Sequence, residues 1–210
     1  MTELHAHWMD KLYGENIYTG YVPEYPLDAG GWAGDGEIFR QVFAEFSPSV
    51  VIEVGTWKGA SAFYMAEAMG ERNGVIVCVD TWLGSLEMWR YPDLHMKHGH
   101  PGLYWQFLSN VVHAGKQEIL LPVQLPGTIA ARVLEQRGFI ADMVYIDGSH
   151  DYRDVKADLE SYWPLLKSGG VLLGDDYNNC EVKQAADEFS VSVHANIRLP
   201  TPGMYLMVKP

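Results

Sequence analysis

Four residues with side chains that can move protons or hold ligands fall in two short segments. Asp147 and His150 lie in DMVYIDGSHDY, and Asp175 and Asp176 lie in GGVLLGDDY. Asp147 follows the apolar run Met143–Ile146, and the Asp175–Asp176 pair follows Val171–Leu173. An imidazole has an ordinary pKa of about 6.5, so His150 is suited to accept a proton near neutral pH. Set against this are two plainer roles. His150 could be a turn histidine bonded to a neighbouring carboxylate, and one of the paired aspartates could cap a helix.

These groups meet only if the two runs are adjacent parallel strands joined by one crossover helix, which places both carboxyl ends at the same sheet edge. Open α/β sheets bind ligands at that edge. The helix is predicted by an apolar stripe, Tyr152, Val155, Leu159, Tyr162 and Leu166, at spacings of three or four. Pro164 should kink or shorten its last turns, and Ser168-Gly169-Gly170 should end them.

Upstream, Val50–Val54 reads as a buried strand running into Glu53-Val-Gly55-Thr56-Trp57-Lys-Gly59-Ala-Ser61 and then a helix, Ala60–Met69. Glycine in a strand-to-helix turn lets the backbone approach a ligand closely. A dinucleotide fingerprint needs a middle glycine to admit pyrophosphate, and Trp57 stands there, which argues against NAD. A second strand, Val75–Val79, ends in Asp80, about 25 residues beyond Gly55. An acid so placed commonly holds a ribose, with a helix cap as the alternative.

The remaining elements continue the alternation. A helix is expected over Asp35–Phe46 and another over Leu103–Ala114, and a third strand over Glu118–Pro122. Thr128, after Pro126-Gly127, is expected to cap a helix over Ile129–Gln136. Glu181–Phe189 reads as a helix, and Val191–Arg198 with Met204–Val208 as a closing antiparallel hairpin. The fold expected is α/β, Rossmann-like and doubly wound, with a mostly parallel seven-stranded sheet and a C-terminal antiparallel hairpin. Residues 1–34, rich in Trp, Tyr, Gly and Pro with no sustained period, form an aromatic arm or lid before a domain at 35–210. Residues 83–102 are an insertion near the pocket, and His95, His98 and His100 there show no metal-ligand spacing.

Composition limits the partners. With 15 Lys+Arg against 27 Asp+Glu the formal net charge is −12, so the basic footprint of a nucleic-acid binder is missing. No apolar run reaches membrane-spanning length, and residues 1–16 do not read as a secretory leader. Cys78 and Cys180 form no disulfide framework, so a cytoplasmic location is expected. The partner expected is a small-molecule acceptor, with a homo-oligomer left open.

The strand-helix order, the Glu-x-Gly-x-x-x-Gly turn and the acid ending the second strand together resemble the class I S-adenosylmethionine-dependent methyltransferases over about residues 35–210. EVGTWKGAS is similar to the loop of the catechol O-methyltransferase group. DMVYIDGSHDY and GGVLLGDDY resemble small bacterial methyltransferases that include sugar O-methyltransferases. The resemblance implies an O-methyltransferase acting on a hydroxyl of a catechol, sugar or other vicinal diol. It implies S-adenosylmethionine held by Glu53, Gly55, Thr56, Trp57, Ser61, Asp80, Thr81, Trp82, Gly127, Thr128 and Asp147. Catechol-type enzymes hold a cation with an Asp after the fourth strand and Asp-Asn after the fifth; the matching positions are Asp147, Asp175 and Asp176. Asp176 departs from the family's Asn. His150 stands where that group carries a catalytic Lys. A divalent cation, Mg²⁺ first, would suit such carboxylates and lower the pKa of an acceptor hydroxyl. Asp147 and His150 are thus the expected catalytic pair. Three other readings stay open: a metal-independent methyltransferase, a hydroxylase-like relative, and a non-catalytic protein that keeps the nucleotide pocket.

Overall fold

The computed structural model describes all residues except Met1, Trp32, Ala33, Asp35, Leu86, Glu87 and residues 91–93, and the side chain of Arg90. Five short apolar runs form the parallel part of the sheet: β1 (Val50–Val54), β2 (Val75–Asp80), β3 (Leu120–Gln124), β4 (Ala141–Ile146) and β5 (Leu166–Gly174). Two more strands, β6 (Ile197–Thr201) and β7 (Met204–Val208), complete a seven-stranded sheet in the order β3-β2-β1-β4-β5-β7-β6. β7 runs antiparallel to β5, and β6 antiparallel to β7. The central strands are buried along nearly their whole length because helices cover both faces, which is why they lack an alternating polar face.

The helices are α1 (Glu3–Tyr13), α2 (Glu37–Phe46), α3 (Ala60–Met69), α4 (Leu103–His113), α5 (Gly127–Gln136), α6 (Tyr152–Tyr162) and α7 (Cys180–Ser192). α2 packs on α3, while α6 packs between α5 and α7. The strand order reverses direction between β1 and β4, so the ligand crevice of a doubly wound sheet lies at their carboxyl ends. There the chain after β1 and the chain after β4 touch. Gly55 has a φ of 91°, and a Cβ on it would lie 2.0 Å from the Asp147 carbonyl oxygen, so only glycine fits.

Several expected boundaries are corrected. The helix of the central segment stops at Tyr162, and Leu166 opens β5 instead of continuing the helical stripe. Trp163, the C-cap, keeps helical backbone and donates to the Leu159 carbonyl, but Pro164 has no N–H with which to continue the ladder. β3 begins two residues later than expected, at Leu120. α7 extends to Ser192, and β6 occupies Ile197–Thr201 in place of Val191–Arg198. β6 is an edge strand, where Pro200 is tolerated. Thr128 does not cap α5, because the helix already begins at Gly127 and its N-cap residue is Pro126.

The arm at residues 1–34 contains α1, which the pattern of the sequence did not reveal. His5, Trp8 and Met9 form its buried face. Together with Tyr13 and Tyr18, His5 covers the outer edge of β3. His5 Nε2 and the Tyr18 hydroxyl donate to the Leu120 carbonyl at 3.2 and 3.0 Å, and the Tyr13 hydroxyl donates to the Pro122 carbonyl. Covering an edge strand in this way satisfies its free carbonyls and blocks pairing with another chain.

Candidate active site

The turn after β1 is built around one buried carboxylate. Glu53 is fully buried and accepts hydrogen bonds from Thr56 Oγ1 at 2.8 Å and from the Ser61 hydroxyl. Burial pushes its pKa up to about 7 against the lowering effect of those two bonds. Glu53 and Ser61 therefore lie beneath the turn and brace it.

A second carboxylate fixes the other side. Asp80 Oδ2 accepts the Trp57 N–H at 2.7 Å, and its Oδ1 accepts the Trp82 N–H at 2.7 Å. Burial raises the Asp80 pKa, and these backbone bonds oppose the rise. Trp82 Nε1 in turn donates to the Trp57 carbonyl at 2.6 Å. Both tryptophans have left-handed backbone, with φ of 48° at Trp57 and 51° at Trp82. Bulky residues adopt that conformation at a cost of roughly 1–3 kcal/mol and keep it only where neighbours over-determine it. The Trp57–Asp80–Trp82 set of bonds is that determination. The Trp82 ring is fully buried against Tyr104 and Phe107. Its ring thus supports the turn from inside, and its backbone is fixed by Asp80. α3 starts at Gly59 with no side-chain cap, so its first N–H groups face this turn, where helix N-termini favour anions.

Across the crevice stand the acids that follow β4 and β5. The Tyr145 hydroxyl lies 3.0 Å from Asp147 Oδ2 and 3.2 Å from Asp175 Oδ2, bridging the two carboxylates. Burial raises the Asp147 pKa well above the usual carboxylate range, and the Asp175 charge beside it adds to the effect. Burial also raises that of Asp175. Asp175 Oδ1 accepts the N–H of Asp176 at 2.8 Å, and Asp176 has left-handed backbone with a φ of 57°. His150 Nε2 meets Asp176 Oδ2 at 2.8 Å. Their side chains are 55% and 45% exposed, so this pair is open to solvent, while Tyr145 is buried and the two carboxylates it bridges are half-buried.

The four residues singled out in the sequence thus converge, with a division of labour. Asp147, His150 and Asp176 each offer a ligand atom, all within 4.8 Å of one another, whereas Asp175 is turned toward Tyr145. These three side chains bring ligand atoms closest together, and Asp175 stands beside them on the Tyr145 hydroxyl. Asp147 and Asp176 offer the oxygen donors that a hard divalent cation such as Mg²⁺ prefers, and His150 stands beside them. A small cavity beside it is lined by Asp147, His150, Asp175, Asp176 and, from the neighbouring helices, Val155 and Val182.

Other expected residues fall around this centre. Thr81 accepts the Leu83 N–H at 3.2 Å. Gly127 carries the Tyr162 hydroxyl on its carbonyl at 2.8 Å and packs on the Asp158 carboxylate. Asp158 was missed, and burial pushes its pKa up to about 7. Its only signal in the sequence was a charged residue next to Leu159 on an apolar helix face. His95 and His98 are exposed, and no histidine cluster with ligand spacing occurs among the described residues.

A family model described as a methyltransferase domain matches residues 52–177. No curated protein matches the sequence. Among solved structures, CalS11, a TDP-rhamnose 3'-O-methyltransferase of calicheamicin biosynthesis, superposes with a TM-score of 0.59 at 20% identity, covering 83% of this chain and 78% of its own. An O-methyltransferase from Bacillus cereus solved with SAH gives 0.60 at 16% identity, covering 99% and 98%. TomG of Streptomyces achromogenes, an O-methyltransferase of tomaymycin synthesis solved with SAM, gives 0.60 at 15% identity, covering 100% and 97%. At these identities the likeness is one of fold.

Proposed function

The chain belongs to the methyltransferase domain family, and we propose that it methylates a hydroxyl oxygen of a small molecule, with S-adenosylmethionine as donor and a divalent cation at the acidic edge. The observation that carries this reading is the convergence of Asp147, His150 and Asp176 opposite a braced glycine turn. The solved neighbours named above as O-methyltransferases support the choice of oxygen.

The donor supplies a methyl group on a sulfonium centre. The turn at Gly55–Gly59 and the N-terminus of α3 would hold its amino-acid end, Asp80 its ribose, and Gly127 with Thr128 its adenine edge. Each Asp80 oxygen already accepts one N–H and keeps a second lone pair for a ribose hydroxyl. A cation held by Asp147 and Asp176 would lower the pKa of an acceptor hydroxyl.

The chain's own residues supply the proton path. With His150 Nε2–H donating to Asp176, the neutral ring leaves Nδ1 as acceptor. Asp176 then orients the base, and the hydroxyl proton passes to Nδ1 as the oxygen takes the methyl. The half-buried carboxylates bridged by Tyr145 concentrate negative charge that a cation would offset.

A second reading is favoured by the same His150–Asp176 contact, which needs no cation to form. In it transfer is metal-independent and the pair works alone. Exhaustive chelation decides between them. Activity lost with EDTA and restored by Mg²⁺ or Mn²⁺ supports the first reading; full activity in chelated protein removes the cation from the mechanism. The acceptor reader would be the surface formed by residues 83–102 and the arm. Cys78 and Cys180 are free thiols, and no helix among the described residues is long and apolar enough to cross a membrane. The free thiols are what a reducing compartment such as the cytoplasm would keep.

A further inference from the structure

Residues 21–31 leave α1 and run along α4, held there by buried polar side chains. Gln106, Ser109 and Asn110 are almost completely buried, an unusual load of polar groups for one helix face. Ser109 Oγ accepts the N–H groups of Glu24 at 3.1 Å and Tyr25 at 3.3 Å, and lies 3.0 Å from the Tyr21 hydroxyl. Gln106 Nε2 donates to the Pro26 carbonyl at 2.9 Å.

Asn110 goes further, because one of its bonds leaves the arm. Its Oδ1 accepts the Asp28 N–H and Gln106 Nε2, each at 2.9 Å. Its Nδ2 donates to the Asp28 carbonyl at 2.7 Å and to the Lys58 carbonyl at 2.9 Å. A side-chain amide has two donors and two acceptor sites, so all of its capacity is used. Lys58 belongs to the glycine turn. The two segments are tied a second time by Lys58 Nζ and Asp28 Oδ2 at 2.5 Å.

The turn needs such ties. Trp57 and Gly59 have φ of 48° and 99°, and such backbone relaxes when its neighbours release it. Trp82 fixes the Trp57 carbonyl, and Asn110 fixes the next one. That second peptide plane leads directly into the first N–H groups of α3.

We propose that Asn110 is a positioning residue for the donor cofactor: it locks the turn at residues 56–59 to the arm, so that cofactor affinity depends on an arm that lies outside the matched family segment. The inference rests on the turn being the donor site. Ser109 supplies the comparison, since it holds the same arm and does not touch the turn.

The test compares Asn110→Ala with Ser109→Ala. Calorimetric titration with S-adenosylhomocysteine should show a dissociation constant raised about tenfold in the first, as expected for loss of a buried hydrogen bond, and within about twofold of wild type in the second. Amide hydrogen exchange of the ligand-free protein should quicken at residues 57–61 in Asn110→Ala and not in Ser109→Ala. Should Asn110→Ala fail to fold, Asp28→Asn, which breaks the solvent-facing tie to Lys58, should still raise the constant by about threefold while Ser109→Ala does not. Equal effects of the arm variants on affinity and exchange, or none, overturn the proposal. Wild-type protein that binds no cofactor overturns the reading of the turn instead, and the exchange pattern then still decides whether Asn110 holds it.

Discussion

The two sides of the crevice are finished to different degrees. On the β1–β2 side the carboxylates are spent on the chain itself: Glu53 on Thr56 and Ser61, Asp80 on Trp57 and Trp82. On the β4–β5 side Asp147, Asp175 and Asp176 crowd together around one histidine and one shared tyrosine hydroxyl. A single O–H cannot donate to two carboxylates at once, and like charges in a buried place raise one another's pKa. Rigid, satisfied groups shape a pocket before any ligand arrives. Crowded, partly satisfied acids bring charge that a ligand must answer. Under the proposed function, the first side would recognise the donor and the second would carry the reaction.

The largest effects are expected on the crowded side. His150→Ala should lower kcat by about a hundred- to ten-thousand-fold, the usual cost of removing a positioned base, with cofactor affinity near wild type. His150→Lys is the sharper variant. It should keep part of the rate, with the rising limb of the pH profile displaced upward because Lys loses its proton at higher pH. A variant His150→Ala that retains more than about a third of wild-type kcat lies far outside the range for a base and returns His150 to a structural role.

On the braced side the losses should appear in binding. Asp80→Ala removes a buried acceptor for two backbone N–H groups, and cofactor affinity should fall by about 1–3 kcal/mol. Trp82→Phe deletes only the bond to the Trp57 carbonyl. It should weaken cofactor binding about two- to tenfold by calorimetry, in keeping with one net hydrogen bond. If Trp82→Phe slowed turnover and left affinity untouched, the division between the two sides would not hold.

Much of this arrangement was legible in the sequence. The carboxylates at strand ends were, because apolar runs of four or five residues can only be buried strands and the residue after each lands at a known edge. The glycine turn was legible from the Gly55 and Gly59 pair between an apolar run and a helix pattern. What escaped depends on geometry that composition does not carry. The lock between Trp57, Asp80 and Trp82 requires two tryptophans in left-handed backbone, against their preference. The left-handed backbone of Asp176, which meets His150, is likewise invisible in composition. Asn110 and Ser109 look like ordinary polar residues of a helix until the arm is laid beside them, and α1 was hidden because its buried face includes His5. β6 was misplaced because Val191 and Val193 suggest a strand, yet α7 continues to Ser192 and leaves Val191 exposed.

The smallest expected effect concerns stability. The folded-state pKa of Glu53, about 7, lies above its ordinary value of 4.5, so the native protein holds this proton more tightly than the unfolded chain. The resulting stabilisation is complete below 4.5 and is lost as pH rises through about 7. Asp158, pushed up to about 7 from 3.8, acts in the same sense. Thermal midpoints of the ligand-free protein should therefore fall between about pH 5 and 8. Glu53→Gln, which carries no charge at any pH, should show a shallower fall. An unchanged slope would mean that Glu53 titrates near its ordinary value.

The central claim is that a braced donor site faces an acidic edge that works on a hydroxyl. It is tested most directly by incubating the protein with Mg²⁺, S-adenosylmethionine labelled in its methyl group, and a panel of catechols, sugars and other vicinal diols, and locating the label in any product by mass spectrometry and NMR. The account predicts label on an acceptor oxygen with wild-type protein and its loss with Asp147→Asn. Label on nitrogen or carbon, or transfer to oxygen that Asp147→Asn leaves undiminished, would contradict it.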